Sequence, residues 1–194
     1  VPGVAALFIY RLGENPKFSS MQRSKWFERK FPPVQDNGLL PGILERLEGT
    51  PARIQAKMGQ AADIILREAE AGKWSIKKEI GHLADLEPLW YQRVLELQDG
   101  AIELQAADLT NRKTHEARHD QKSWSDLLEE FSSQRKKLVN AIRQLNEEEL
   151  NKSSLHPRLK THMKVVDLAF FVAEHDDHHL AAITELIRIS GVKP

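Results

Sequence analysis

Residues 174–183 read EHDDHHLAAI, and which of these side chains face inward decides what kind of protein the chain forms. At ~100° per residue along a helix, His175 and His179 straddle a line that also passes through Leu168 and Leu186, with Ala182 close by. The pair therefore lies on the apolar stripe of a helix that the periodicity of residues 165–189 predicts and that Gly191 ends. By the same arithmetic His178 sits roughly 80° off the line, and Asp176 and Asp177 also point away from it, so these three read as rim or solvent residues. Helical residues four apart bring their Cβ atoms within ~5–6 Å, near enough for two imidazoles to converge on one ion. Two buried histidines satisfied by hydrogen bonds would show the same spacing, so a third inward histidine is needed to separate the readings.

That third ring is found in the next long apolar pattern. Ser75 is a cap candidate for a helix whose stripe Ile76, Ile80, Leu83, Leu86, Trp90, Val94 and Leu97 runs to Gly100. His82 shares a face with Leu86 and Leu89, and Pro88 is expected to kink the helix about one turn further on. Burying an imidazole without a partner costs on the order of 1–3 kcal/mol, whereas a single ion satisfies three at once. The chain contains no cysteine, which leaves histidine and carboxylate as its strong metal-binding side chains. The expected metal ligands are accordingly His82, His175 and His179. Three neutral imidazoles leave coordination positions open, as catalytic sites require, and a bound water or thiol would lose its proton more readily there. Asp85, three residues after His82, has two readings: a carboxylate that orients that imidazole, or ordinary compensation of the helix dipole in an early turn. His115 and His119 repeat the four-residue spacing, but their surroundings NRKTHEARHDQ (111–121) are polar and non-periodic and read as a solvated loop. Trp74 and Trp90 flank the His82 segment and read as core fillers or pocket walls.

The remainder of the chain supplies partners for these two helices. Thr50 followed by Pro51 predicts a helix start, with Ile54, Met58, Ala62, Ile65 and Ala69 as its stripe up to Gly72. The proline- and glycine-containing stretch 25–41 reads as an extended approach to it. Ser123, with Asp126 three residues on, opens a third helix along Trp124, Leu127, Leu128, Phe131, Leu138, Ile142 and Leu145, which Asn146 and the acidic run after it close. Residues 100–123 read as a long crossover with little regular structure, and residues 150–164 as a connector. No strand pair is apparent. Four amphipathic helices meet most economically in one all-α four-helix bundle, with the long crossover between helices 2 and 3. Residues 1–20 differ in character from the rest of the chain and precede Met21, so they read as a leader or non-native extension, and the bundle as residues 21–194.

Composition narrows the function classes. Twenty-eight basic residues balance twenty-eight acidic ones, so there is no surplus positive field for neutralising phosphates, and a nucleic-acid partner is not expected. No run approaches the ~18 apolar residues of a membrane span, and the apolar start lacks the basic segment of a secretory signal. A cytoplasmic protein without membrane attachment is expected.

The stretches LLPGILERLEGTPARI (39–54), KWSIKKEIGHLADLEPLW (73–90) and EHDDHHLAAI (174–183) resemble the DinB-like, or YfiT-like, superfamily of metal-dependent bundles, and the likeness covers nearly everything after Met21. The resemblance implies a four-helix bundle with a long crossover, one histidine in the second helix and an H-x-x-x-H pair in the last, matching His82, His175 and His179. It further implies a divalent ion such as zinc or nickel, a homodimer, and for some members S-transferase activity with low-molecular-weight thiols such as bacillithiol or mycothiol. Two function classes are open. One is a metal-dependent enzyme of thiol-transfer or hydrolytic type acting on a small molecule. The other is a non-catalytic, dimeric helical binding or stress-response module, with a structural metal or none, which predicts no open cleft.

Overall fold

The computed structural model describes residues 23–34, 36–59 and 72–190. Four long helices dominate it: α1 (Leu40–Met58), α2 (Ile76–Asp99), α4 (Trp124–Arg143) and α6 (Val165–Ile189), with the short helices α3 (Arg112–Glu116) and α5 (Glu147–Asn151) between them. Helix α2 packs most extensively on α4 and α1 on α6, while α2 also meets α6 and α1 meets α4. The resulting ring order α1, α4, α2, α6 sets α1 diagonally across from α2, and α4 from α6. No helix among the described residues is long and apolar enough to cross a membrane.

Caps mark both ends of α2 and the start of α4. Ser75 Oγ accepts from Lys78 N at the start of α2, and Ser123 Oγ accepts from Asp126 N at the start of α4. Gly100 takes a left-handed conformation (φ 74°) at the end of α2. The crossover is more ordered than expected, holding α3 and a 3-10 turn at His119–Gln121, both packed on α2. Asn146 does not merely close α4, which ends at Arg143. It opens α5 with a reciprocal capping box to Glu149. The connector also contains a strand pair: β1 (Ser154–Leu155) and β2 (His162–Met163) are antiparallel, and Leu155 is tied to the crossover through Ile102 and Leu104.

The start of α1 corrects the sequence reading. The helix begins at Leu40, with Pro41 in its first turn, and Pro51 lies inside it. The buried stripe therefore starts a decade earlier, with Leu40, Ile43, Leu44 and Leu47, and continues into Ile54 and Met58. The expected continuation through Ala62, Ile65 and Ala69, and the Gly72-side end of that segment up to residue 71, lie outside the described residues, as does Gly191. An interior proline has no N–H to offer the carbonyl four residues back. Here that carbonyl belongs to Leu47, and Arg135 Nη1 donates to it at 3.0 Å.

This bond belongs to a polar layer that divides the core in two. Leu47, Trp90, Leu138 and Phe171 belong to one apolar cluster, and Ile54, Ile80, Phe131 and Ile183 to the other. Between them each long helix contributes one buried polar residue: Thr50, Glu87, Arg135 and Asp176. Arg135 Nε and Nη2 donate to Glu87 (3.1 and 2.6 Å), Nη1 and Nη2 donate to Asp176, and Thr50 Oγ1 donates to Asp176 Oδ2 at 2.7 Å. Burial works against the Arg135 charge, but Asp176 and Glu87 beside it outweigh burial and raise its pKa. Asp176 is thus fully buried rather than facing solvent. At ~100° per residue Asp176 lies only about 80° from the inward line, on the side of α6 where the Arg135 guanidinium pairs with it. Asp177 does lie toward the surface, paired with Arg46 and Arg53.

Candidate metal centre

His82 from α2 and His175 and His179 from α6 come together, each buried, and offer ring nitrogens that all lie within 4.8 Å of one another. The ring centroids are 5.3 Å (82 to 175), 4.8 Å (82 to 179) and 4.4 Å (175 to 179) apart. His175 Nε2 is 3.1 Å from His179 Nε2. The i, i+4 spacing on α6 and the diagonal placement of α1 make this possible, since α2 and α6 are neighbours in the ring.

The outer nitrogens show where the ring protons reside. Thr114 Oγ1 donates its single proton to Asp85 Oδ2 at 2.8 Å, because an ionised carboxylate only accepts. The same oxygen lies 3.0 Å from His82 Nδ1 and must then accept from it, so the His82 proton sits on Nδ1 and Nε2 is a bare lone pair. Burial opposes the Asp85 charge, yet hydrogen bonds from His119 and Thr114 outweigh it and its pKa falls. On α6, His179 Nδ1 is 2.5 Å from Glu79 Oε2, whose pKa burial raises to about 7; in its ionised form the carboxylate accepts from Nδ1 and leaves Nε2 free. His175 points Nε2 at the same place, and its Nδ1 is buried without a partner among the described residues. Burial, reinforced by the other rings for His82, pushes His82 and His179 down to about 3, and burial with its neighbouring histidines pushes His175 well down. At neutral pH all three are uncharged. Three neutral rings that aim nitrogens at a common point, two of them with an outer partner at Nδ1, are the donor set that a divalent transition ion takes, so the residues fit such an ion.

Asp85 thus reaches His82 only through Thr114, to which both are hydrogen-bonded. The expectation for His119 is corrected. It is buried, with Nε2 bonded to Asp85 Oδ2 at 2.8 Å. Gly81 makes room for it: a Cβ there would stand 2.3 Å from His119 Cγ. Hydrophobic periodicity could not reveal this, because the crossover buries a polar network and not an apolar stripe. His115 stays exposed, its Nδ1 3.0 Å from Lys78 Nζ. Glu79 was also missed, although it sits three residues before His82 on the same face of α2.

A cavity of about 420 Å³ opens onto the three imidazoles. Trp74 stands against His82 (4.8 Å between centroids), and Trp26 and Trp90 against His175 (5.0 and 5.7 Å), so both tryptophans singled out beside the His82 segment are pocket walls. Trp26 arrives on the 3-10 turn Trp26–Glu28, which makes the stretch expected to be a plain extended approach part of the site's cover. His178 lies at the rim, half-buried, and burial followed by the charge of Arg23 lowers it to about 3. Arg93, His156 and Arg158 line the same cavity.

Comparison with known proteins gives concordant results. The family model of the DinB superfamily matches residues 24–183. A Bacillus pumilus protein described as a candidate metal-dependent hydrolase is 26% identical over 160 residues, which is 77% of this chain and 85% of that one. Among solved structures, YfiT from Bacillus subtilis, described as a probable metal-dependent hydrolase with an unusual four-helix bundle topology, superposes with a TM-score of 0.73. It is 21% identical and covers 86% of this chain and 95% of its own. At that identity the likeness speaks for the fold.

Proposed function

Because this chain belongs to the DinB superfamily, we propose that it is a metal-dependent enzyme of hydrolytic type, with a divalent ion, zinc or nickel, held by His82, His175 and His179. The observation that carries this reading is the convergence of three buried, neutral imidazoles, two of which have their remaining protons held by Thr114 and Glu79. When bound, such an ion supplies Lewis-acid chemistry, polarising a carbonyl and acidifying a hydroxyl or thiol group. Thr114 and Asp85 fix the His82 ring and its proton, and Glu79 does the same for His179. Trp26, Trp74 and Trp90 wall the cavity beside the rings. A purely structural ion needs no approach from outside, and the cavity reaching the rings favours catalysis over it. The relative described as a candidate metal-dependent hydrolase supports the hydrolytic direction.

The test is a panel of small carboxylic and phosphoric esters and amides, assayed with protein loaded with zinc or nickel, stripped by chelator, and carrying His82→Ala. Turnover by loaded wild type that is lost in the other two forms is expected. A parallel arm with a low-molecular-weight thiol and an electrophile reports on thiol transfer. Equal rates in loaded, stripped and His82→Ala protein would defeat the proposal.

A further inference from the structure

The cavity contains a second group of polar side chains, separated from the histidine cluster by one aromatic ring. Arg93 Cζ stands 5.2 Å over the Trp90 ring, on which His175 and Phe171 also pack. Arg93 is fully buried; its Nε and Nη2 donate to the Gln105 carbonyl at 2.9 and 2.7 Å, and its Nη1 lies 3.2 Å from His156 Nε2. That last approach is the informative one. His156 Nδ1 accepts from the backbone N–H groups of Arg158 and Leu159 at 3.3 and 3.2 Å, so the proton of the neutral ring sits on Nε2. Burial, with Arg93 and Arg158 adding to it, lowers His156 to about 4, which makes the ring neutral at pH 7. Two donors therefore face each other, and no acceptor among the described residues stands between them.

Arg158 completes the group. The turn between β1 and β2 holds it over Phe27 and Phe171, 5.3 and 5.7 Å from their centroids, and its Nη2 is buried with no hydrogen-bond partner among the described residues. No carboxylate among the described residues forms a salt bridge with Arg93 or Arg158, and each guanidinium is close enough to His156 to lower its pKa. A buried guanidinium donor without an acceptor carries a desolvation cost that an incoming oxyanion removes.

We propose that Arg93, His156 and Arg158 form an oxyanion subsite, and that the substrate is a small anionic molecule, a carboxylate or phosphate monoester. Its charged end lies on these three donors while its body crosses Trp90 toward the imidazoles. The proposal rests on reading the cavity as the substrate site and names the substrate class for it.

Benzoate, phenyl phosphate and neutral benzamide serve as probes, titrated against metal-loaded and chelator-stripped protein by calorimetry, with tryptophan fluorescence as a second signal. At least one anion is expected to bind about tenfold or more tightly than benzamide in the stripped protein, and to weaken by about tenfold in Arg158→Gln, with benzamide unchanged. Arg158→Lys should recover part of the loss, and His156→Gln, which leaves the net charge at pH 7 unaltered, gives a second reading should Arg158→Gln fail to fold. The stronger of the two anions identifies whether the subsite takes a carboxylate or a phosphate. Anions that bind no better than benzamide, or bind equally to wild type, Arg158→Gln and His156→Gln, would overturn the subsite. Because the stripped protein is titrated separately, anion affinity can survive failure of the metal reading, and metal can load normally on Arg158→Gln if the subsite fails.

Discussion

Replacing Thr114 by valine removes one hydroxyl while keeping the side chain's shape, and it isolates the relay behind His82. Thr114 is buried, accepts from His82 Nδ1 at 3.0 Å and donates to Asp85 Oδ2 at 2.8 Å. In the valine variant the His82 ring has two choices. It can keep its proton on Nδ1, leaving a buried donor unpaired at about 1–3 kcal/mol, or move the proton to Nε2, which occupies the lone pair that faces His175 and His179. Either choice weakens the site, and loss of such an outer partner typically lowers metal affinity about 10–100-fold, equivalent to about 1.4–2.8 kcal/mol. Competition with a chromophoric chelator at pH 7.5 gives the Kd for zinc, and circular dichroism checks that the bundle is intact. Thr114→Ser, which restores the hydroxyl, should return most of the affinity. A folded Thr114→Val with the wild-type Kd would refute the reasoning that the hydroxyl sets the His82 tautomer.

Other perturbations test the scaffold. Arg135→Met leaves Glu87 and Asp176 buried without their cation and the Leu47 carbonyl without its donor, and should cost about 3–5 kcal/mol in urea unfolding; a loss under about 1 kcal/mol would show that the polar layer is dispensable. Gly81→Ala would set a methyl 2.3 Å from His119 Cγ, with an expected loss of about 1–3 kcal/mol and faster amide exchange across the crossover; an unchanged stability would mean that His119 does not dock there. Acid should destabilise the metal-free protein: folding holds His82 and His179 near 3 against an unfolded value of about 6.5. The unfolded chain also binds more protons at His175, His156 and His178, which burial likewise lowers, and together these rings outweigh Glu79 and Glu87, which burial raises to about 7 in the folded state; stability therefore falls as pH drops from about 6.5 toward 4.5, by up to about 1.4 kcal/mol per pH unit for each ring in excess. Urea midpoints that stay level from pH 7 to 4.5 would contradict the burial of these rings.

The apolar periodicities of α2, α4 and α6 were legible because each buries a stripe wide enough to repeat along its length, and the inward direction of His82, His175 and His179 came from the same geometry. The start of α1 was not, since Pro41 and Pro51 both satisfy the rule for a first helical turn and only Arg135, far away in sequence, makes the interior position of Pro51 tolerable. Asp176 and His119 were misplaced for one reason: each is buried by a polar partner, Arg135 or Asp85, and pattern reading counts polar residues as exposed. Arg93 and Arg158 carry no local signal at all, because their meaning depends on the crossover and the β1–β2 turn closing over α2.

The most direct test is a crystal structure of protein grown in zinc or nickel, with diffraction recorded above and below the metal absorption edge. One anomalous peak per chain is predicted, bonded to the Nε2 atoms of His82, His175 and His179 at about 2.0–2.1 Å. A fully ordered site with no such peak, or a peak bound elsewhere while these three rings bond only to one another and to the protein, would contradict it.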